Sequence, residues 1–243
     1  MTSQFYVLTR PQKLFTVCAG IFITALVIAE ATASKFFVVT DLPFSISIFG
    51  NEFSTVVMTA GVIAFPITFI VTDLLNEYYG VKGIRFVTLL GMVMIAFEFV
   101  ILYVARAVPT AENSPVPDEA FELVFGASGR IIIASLIAYL IGQLADISIF
   151  HWLRRRTKGK HLWLRATGST FGSQFLDTFL VLMIAFGTQL PFADIIAITL
   201  FNYGYKFIVA IVITPLIYGA HRLMDAYLGH EQALELIKQA EES

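Results

Sequence analysis

The chain has 243 residues, of which 57% are hydrophobic and 14% are charged, and its formal net charge at pH 7 is −2. Because proteins carry about 25% charged residues on average, this composition excludes an ordinary soluble domain. The single cysteine, Cys18, excludes an internal disulfide.

Six segments meet the requirement of about 20 mainly apolar residues for crossing the hydrocarbon core of a bilayer. In chain order they are Leu14–Phe37, Val56–Asn76, Ile84–Arg106, Gly129–Leu153, Leu162–Gly187 and Phe192–His221. The first segment is too long for the core of a signal peptide, so we expect it to stay attached. The sequence therefore predicts an all-α integral membrane protein with six transmembrane helices.

The basic residues are concentrated on one side of this topology. Twelve of the 16 Lys and Arg residues lie before helix 1, between helices 2 and 3, between helices 4 and 5, or after helix 6. Because short basic loops stay in the cytoplasm, both termini are predicted to be cytoplasmic. We expect a six-helix transmembrane domain over 1–228 and a short cytoplasmic tail over 229–243.

Three stretches outside the six helices have recognisable patterns. Residues 43–53 alternate apolar and polar side chains around Gly50-Asn51, which is typical of a β-hairpin. Residues 109–125 are rich in proline and acidic residues, so we expect a loop with one amphipathic turn. The tail after Gly229 is expected to form a short, solvated helix.

Ionisable side chains inside the predicted helices are the most informative feature, because a charge in hydrocarbon costs at least ~2.5–3.5 kcal/mol. On helix 2, Asp73 and Asn76 are three residues apart and share a face. Pro66 is expected to kink the same helix at mid-membrane. This combination favours a solute-binding helix, and a structural carboxylate paired with a neighbour is the alternative.

Helices 4 and 5 each carry a polar stretch that ends in Gln-x-x-Asp. Its members are Tyr139, Gln143 and Asp146 on helix 4, and Ser169, Gln174 and Asp177 on helix 5. Each pair offers an amide and a carboxylate, which can donate and accept along one edge of a flat solute. Close helix packing explains a serine such as Ser169 equally well.

Helix 6 carries Asn202, Tyr203 and Lys206. Counting ~1.5 Å per residue places Lys206 near mid-membrane with Asp177, where the ammonium group can neutralise the carboxylate. Glu98 on helix 3 is also mid-helix, and it suits either proton binding or a structural contact. The other carboxylates have no obvious basic partner, so they must be protonated, hydrated or matched by donors of a substrate.

Patterns for catalysis and for metal binding are missing from the sequence. The four histidines fall at predicted cytoplasmic edges or in the tail, which excludes an intramembrane Ser-His pair and an HExxH site. The sequence also has no P-loop and no Cys/His cluster. We therefore expect no enzyme activity, no metal and no cofactor.

The stretch 72–80, TDLLNEYYG, resembles the signature after helix 2 of the queuosine precursor transporter family, also called the vitamin uptake transporter family. The resemblance continues through Arg130, Ala134, Ser135, Ala138, Tyr139, Gly142, Gln143, Asp146, Trp163, Ser169, Thr170, Gln174, Asp177, Thr178 and 203–206. It covers nearly the whole chain, and helix 1, the acidic outer loop and the tail match least.

This resemblance implies import of a 7-deazaguanine base across a bacterial inner membrane, for synthesis of the tRNA nucleoside queuosine. Candidate substrates are 7-cyano-7-deazaguanine, 7-aminomethyl-7-deazaguanine and queuine. The implied partners are this small molecule and the lipid bilayer, with no direct nucleic-acid binding. The residues expected to bind the substrate are Asp73, Asn76, Tyr139, Gln143, Asp146, Ser169, Gln174, Asp177, Asn202, Tyr203 and Lys206.

Two alternatives stay open. The chain could be the substrate-binding subunit of an energy-coupling-factor importer, which relies on separate ATPases. Ala25, Ala29 and Ala33 form a ridge of small residues that suits docking of a scaffold helix, or of a second copy of the chain in a homodimer. The other alternative, a membrane enzyme or a purely structural bundle, lacks a nucleophile–base pair.

Overall fold

The computed structural model describes residues 8–157 and 162–241, with their side chains except at positions 127–128, 143–144, 146–148, 150–151, 153–155, 162–171 and 241. The described residues form seven α-helices and one β-hairpin. In chain order the elements are α1 (Arg10–Thr32), β1 (Phe36–Ile48), β2 (Asn51–Thr59), a 3₁₀ helix (Ala60–Ala64), α2 (Phe65–Ala107), α3 (Asp118–Arg156), α4 (Leu162–Phe186), α5 (Phe192–Val212), α6 (Thr214–Leu228) and α7 (His230–Glu241).

Several of these helices are suited to a membrane. Within the described ranges, four helical stretches are long and apolar enough to cross a bilayer: Arg10–Thr32, Ala60–Ala107, Asp118–Gly142 and Phe192–Val212. The second of them holds 48 residues, about twice the ~20 that one crossing needs. The chain is therefore a predominantly helical, multi-pass membrane protein. The count of six spans and the location of the termini stay predictions.

Predicted helices 2 and 3 form one element, α2, which breaks at Gly80. Gly80 has φ 65° and ψ −174°, a combination that is essentially restricted to glycine. Pro66, by contrast, is the second residue of α2, where its missing N–H costs no helical hydrogen bond. The predicted kink at Pro66 is therefore wrong, and the interruption lies at the end of the TDLLNEYYG stretch instead.

The β-hairpin predicted around Gly50-Asn51 is confirmed and is longer than expected. Its antiparallel register runs from the Phe36↔Thr59 pair to the Ile48↔Asn51 pair beside the turn. Phe49 and Gly50 have positive φ values of 50° and 81°, as a two-residue turn between right-twisted strands requires.

The long strands change two predicted helix boundaries. Helix 1 ends at Thr32 rather than Phe37, and helix 2 does not begin at Val56, because β1 and β2 take up these residues. β-branched and aromatic side chains are frequent in both strands, and such residues favour the extended conformation over the helix.

Two further boundaries differ from the prediction. α3 begins at Asp118, within the expected loop, and Asp118 and Glu119 in its first turn interact favourably with the positive end of the helix dipole. Predicted helix 6 divides at Ile213 into α5 and α6. Pro215 explains this division, because proline suits a first turn but cannot continue a preceding helix.

The described residues form two compact units, each with its own core. The first unit draws on residues 8–28, 63–95 and 208–241, and the second on 29–62, 96–157 and 162–207.

In the first unit, the core joins α1, α2, α6 and α7. Its buried side chains include Cys18, Phe22, Leu75, Tyr78, Val87, Met224, Leu228 and Ala233. Ala233 of α7 is 2% exposed, and Leu236 and Ile237 pack against the same core. The predicted tail helix is thus confirmed, but only one face of it is solvated, because its apolar residues share a stripe at helical spacing.

In the second unit, the core lies between α3, α4 and α5. Its buried side chains are Ile131, Ala134, Leu182, Ala185, Phe186, Ile195 and Ile198. The hairpin packs on this core through Phe36 and Val57, and the Phe36 ring centroid lies 5.0 Å from that of Phe186. This packing fixes the end of β2 beside the helices that carry the predicted site residues.

The alanine ridge on α1 contacts the chain's own backbone. In the second unit, Ala29 and Ala33 lie against Gly61, where an added Cβ would come within 2.7 Å of the Ala29 carbonyl oxygen. Such a close approach requires glycine. Ala25, in the first unit, is 7% exposed. The homodimer stays a prediction.

Replacing Gly80 with alanine is expected to lower the free energy of unfolding by about 1–3 kcal/mol, because a Cβ is disfavoured at this φ and ψ. Gly219→Ala is the matched control, since Gly219 is helical and exposed, and an added Cβ there meets nothing within 4 Å. The measurement is thermal unfolding of the purified proteins in detergent. Equal unfolding temperatures for the two variants would contradict the expected restriction at Gly80.

Candidate functional site

The predicted site residues divide between the two units. Tyr139, Gln174, Asp177, Asn202, Tyr203 and Lys206 belong to the second unit and have described side chains. Gln143, Asp146 and Ser169 lie on α3 and α4, but their side chains are outside the part of the chain that the structure describes. Asp73 and Asn76 belong to the first unit, and both are exposed on α2.

Asn202 of α5 holds the end of the hairpin. Its side chain is buried, and its Oδ1 accepts from the Thr59 backbone N–H at 3.3 Å while its Nδ2 donates to the Thr59 hydroxyl at 3.3 Å. The amide thus satisfies two groups of a buried strand end, which would otherwise lack partners. Asn202, which was predicted to bind substrate, therefore makes a structural contact with Thr59.

Lys206 of α5 lies beside Asp177 and Thr178 of α4. Its ammonium group donates to the Thr178 hydroxyl at 3.2 Å, and its charge interacts with that of Asp177, as expected from the sequence. Gly142 of α3 lies close to Asp177, since a Cβ added at Gly142 would lie 3.7 Å from the Asp177 Cβ.

Two carboxylates that are not among the predicted substrate-binding residues join this group. Glu30 of α1 accepts a hydrogen bond from the Ser135 hydroxyl of α3 at 2.8 Å, and its charge interacts with those of Glu98, Asp177 and Lys206. The Oε2 atom of Glu98 is buried and has no hydrogen-bond partner among the described residues. We call these residues, Glu30, Glu98, Ser135, Asp177, Thr178 and Lys206, the polar cluster.

The polar cluster contains more acid than base. The ammonium group of Lys206 interacts with the carboxyl groups of Asp177 and Glu30, and the charge of Glu30 also interacts with that of Glu98. Unbalanced charge is costly in a helix bundle at membrane depth, so surplus carboxyl groups must hold protons or meet donors of a bound solute. The cluster can therefore bind protons and can accept hydrogen bonds from N–H groups.

An aromatic pair lies on the same helices. The Tyr203 ring packs edge-on against Phe175, with centroids 5.6 Å apart and an angle of 90° between the rings. Tyr139 is half-buried on α3, and Gln174 is exposed on α4. These side chains offer flat apolar surface for a ring, with polar groups on neighbouring positions.

In the first unit, Asp73 has a partner that sequence reasoning did not find. Its Oδ2 atom lies 2.9 Å from Nε2 of His221 on α6. Tyr78 donates a hydrogen bond to Asp225 at 2.7 Å, and its ring stacks on that of His221. A sequence signal was present, since His221 and Asp225 are four residues apart and therefore share a helix face.

Two surface grooves of about 440 and 450 Å³ are present in the first unit. The larger is lined by Val17, Ile28 and Ile67 among others, and the smaller by Pro11, Phe15 and Tyr79 among others. Neither groove is lined by a predicted site residue, and both linings are mainly apolar, so the grooves do not identify a binding site for a polar solute.

Asn202→Ala is expected to lower the free energy of unfolding by about 1–3 kcal/mol, because it leaves the Thr59 N–H and hydroxyl without their buried partner. Thr59→Ala and the double variant complete a mutant cycle that isolates the side-chain contact. Unfolding temperatures in detergent provide the measurement. Strictly additive effects of the two substitutions would contradict a direct contact between these side chains.

Comparison with known proteins gives the same family as the motif in 72–80. Residues 59–220 match the family described as "Putative vitamin uptake transporter". A protein of Bacillus subtilis (strain 168), named "Probable queuosine precursor transporter", is 32% identical over 169 residues, which cover 68% of this chain and 72% of the relative. No solved structure matches the chain.

Two further relatives carry related names. A "Probable queuosine precursor transporter" of Haemophilus influenzae (strain ATCC 51907 / DSM 11121 / KW20 / Rd) is 31% identical over 209 residues, covering 77% of this chain and 79% of the relative. The "Queuosine precursor transporter" of Escherichia coli (strain K12) is 29% identical over 165 residues, covering 66% and 71%. The alternative of an energy-coupling-factor subunit finds no support in these names. The chain belongs to the queuosine precursor transporter family, also called the vitamin uptake transporter family.

Proposed function

We propose that this chain imports queuosine precursors, which are 7-deazaguanine bases, across the inner membrane of a bacterium. The observation that carries the proposal is the polar cluster, in which charged groups from four apolar helices interact within one unit. Such groups in a membrane protein favour handling of a polar solute or an ion. The names of the three relatives support the choice of solute.

The chemistry of the polar cluster suits the guanine-like edge of these bases. That edge presents N1–H and N2–H₂ donors, which one carboxylate can accept as a pair, and an O6 acceptor, which the ammonium group of Lys206 or an amide can satisfy. Asp177 and Glu30 are the carboxylates whose charges interact with that of Lys206. Tyr203 and Phe175 offer an apolar surface for the flat ring.

The proposed substrate-binding residues are those expected from the sequence, with Glu30, Glu98 and Ser135 added from the geometry. Among them, Lys206 contacts Thr178, next to Asp177, and Tyr203 packs against Phe175. The set includes Gln143, Asp146 and Ser169 only because of their positions on α3 and α4. Asp73 and Asn76 form a separate group in the first unit.

The proposed topology has six spans with both termini in the cytoplasm. The distribution of Lys and Arg residues supports it. The interruption of α2 at Gly80 is compatible with two crossings by the 48-residue stretch Ala60–Ala107. The domain over 1–228 and the tail over 229–243 are part of the same proposal.

The test is uptake in a bacterium that cannot make queuosine precursors and lacks a transporter of its own. The chain is expressed, each of the three deazaguanines is supplied at nanomolar concentration, and queuosine is measured in tRNA by mass spectrometry. Queuosine is expected only when the chain is present, and the most effective precursor identifies the preferred substrate. Failure of all three precursors, with the protein verified in the membrane, would contradict the proposal.

Asp177→Asn and Lys206→Met are expected to lower the rate of precursor uptake by roughly tenfold to a hundredfold. Each removes a charged hydrogen-bonding group worth about 1.5–3 kcal/mol in the bound state. Glu231→Gln, at an exposed position in the first turn of α7, is the control and should leave uptake unchanged. Full uptake by both cluster variants, at membrane levels equal to the parent protein, would remove these residues from the site.

A further inference from the structure

Four side chains of the first unit form a hydrogen-bonded chain, of which only Asp73 is also among the proposed substrate-binding residues. Asp73 Oδ2 lies 2.9 Å from His221 Nε2, and His221 Nδ1 lies 3.4 Å from the Tyr78 hydroxyl oxygen. That hydroxyl donates to Asp225 Oδ1 at 2.7 Å. α2 provides Asp73 and Tyr78, and α6 provides His221 and Asp225.

The contact between Asp73 and His221 holds one shared proton. Nε2 of His221 and Oδ2 of Asp73 lie 2.9 Å apart, and two acceptors cannot form a hydrogen bond, so one proton must lie between them. The Tyr78 hydroxyl donates to Asp225 Oδ1 at 2.7 Å and also lies 3.3 Å from the His221 backbone carbonyl oxygen. These contacts hold the hydroxyl beside Nδ1 of the imidazole.

The Asp73–His221 contact lies near the surface of the unit, whereas the Tyr78 side chain beside the imidazole is buried. The side chains of Asp73 and His221 are 46% and 23% exposed. Tyr78 is 2% exposed and belongs to the core of the unit. Histidine is the side-chain type that exchanges a proton between pH 5 and 8. The pair thus combines an exchangeable proton with a fixed ring orientation.

The surroundings of the pair are acidic. Glu77 and Asp225 both interact electrostatically with the Tyr78 hydroxyl. Arg10 of α1 reaches α6, but it donates to the Tyr227 backbone carbonyl at 3.4 Å. Among the residues that the structure describes, no lysine or arginine forms an ion pair with Asp73 or Asp225. A proton bound by the Asp73–His221 pair therefore lies among carboxylates that have no ion pair with lysine or arginine in the described part of the chain.

We propose that the Asp73–His221 pair binds the proton that drives import, and that Tyr78 and Asp225 are positioning residues that fix the imidazole. The inference rests on the proposed function and adds its coupling ion. In each cycle the pair takes one proton from water on one side of the membrane and releases one proton to water on the other. The only bonds that form and break are those that join this proton to the His221 nitrogen, to the Asp73 oxygen or to a water oxygen.

The test uses purified protein in liposomes, with the membrane potential clamped at zero by potassium and valinomycin. The probe is labelled 7-cyano-7-deazaguanine, which carries no titrating amine. An outside pH one unit below the inside should raise accumulation by the wild-type protein about tenfold, because one proton then contributes about 1.4 kcal/mol. His221→Gln should still equilibrate the probe but should lose this tenfold increase. Tyr78→Phe, which keeps the ring in the core, should lose most of it.

His230→Gln is the control, because His230 is an exposed histidine at the start of α7 in the same unit, and this variant should keep the full increase. A tenfold increase retained by His221→Gln would overturn the proposal. Equal accumulation by the wild-type protein with and without the gradient would also overturn it, while leaving the transport function intact. If the probe does not enter at all, the proposed function fails for that base.

A second readout tests the shared proton without any substrate. In ¹⁵N-histidine-labelled protein, the Nε2 resonance that is lost in His221→Gln should move when Asp73 is changed to Asn. The resonances of His230 should stay in place. An unchanged His221 resonance in Asp73→Asn would overturn the shared proton, whatever the outcome of the transport experiment.

Discussion

The cost of placing charge among apolar helices is the constraint on which the described structure depends. Charged side chains on these helices are met by partners from other elements: Glu30 by Ser135, Lys206 by Thr178, and Asp73 by His221. Each contact ties two helices of the same unit together, so polar groups contribute to the architecture as well as to the proposed chemistry. Glu98 departs from this pattern, since its Oε2 atom has no hydrogen-bond partner among the described residues.

Interruptions of regular helices lie next to these polar groups. Gly80 ends the stretch that carries Asp73 and Tyr78, and Pro215 opens α6, which carries their partners. The 3₁₀ helix and the hairpin end precede α2 and bring Thr59 against α5. In a continuous helix the side chains follow one fixed angular repeat. An interruption changes the direction of the residues that follow it, so the two parts of the segment can contact different neighbouring helices.

The family comparison and the geometry select overlapping but different residues. The matched range, 59–220, includes the polar groups of α3, α4 and α5, and it includes both Asp73 and Tyr78. Glu30, His221 and Asp225 lie outside this range, yet each contacts or interacts with a residue inside it. Similarity therefore identifies the transporter class, whereas the contacts supply the proton chemistry proposed for the first unit.

The sequence by itself determined the membrane class, the apolar helices, the hairpin at Gly50-Asn51 and the polar positions on α4 and α5, because hydropathy and turn chemistry are local properties. The kink expected at Pro66 is wrong because this proline lies in the first turn of α2, where it does not interrupt a helix. The expected end of helix 1 at Phe37 is wrong because β1 pairs with β2 from Phe36 onwards. Only the tertiary structure decided that Glu30 meets Ser135 and that Asp73 meets His221. Those partners are more than 100 residues apart, and helix packing rather than any local pattern brings them into contact.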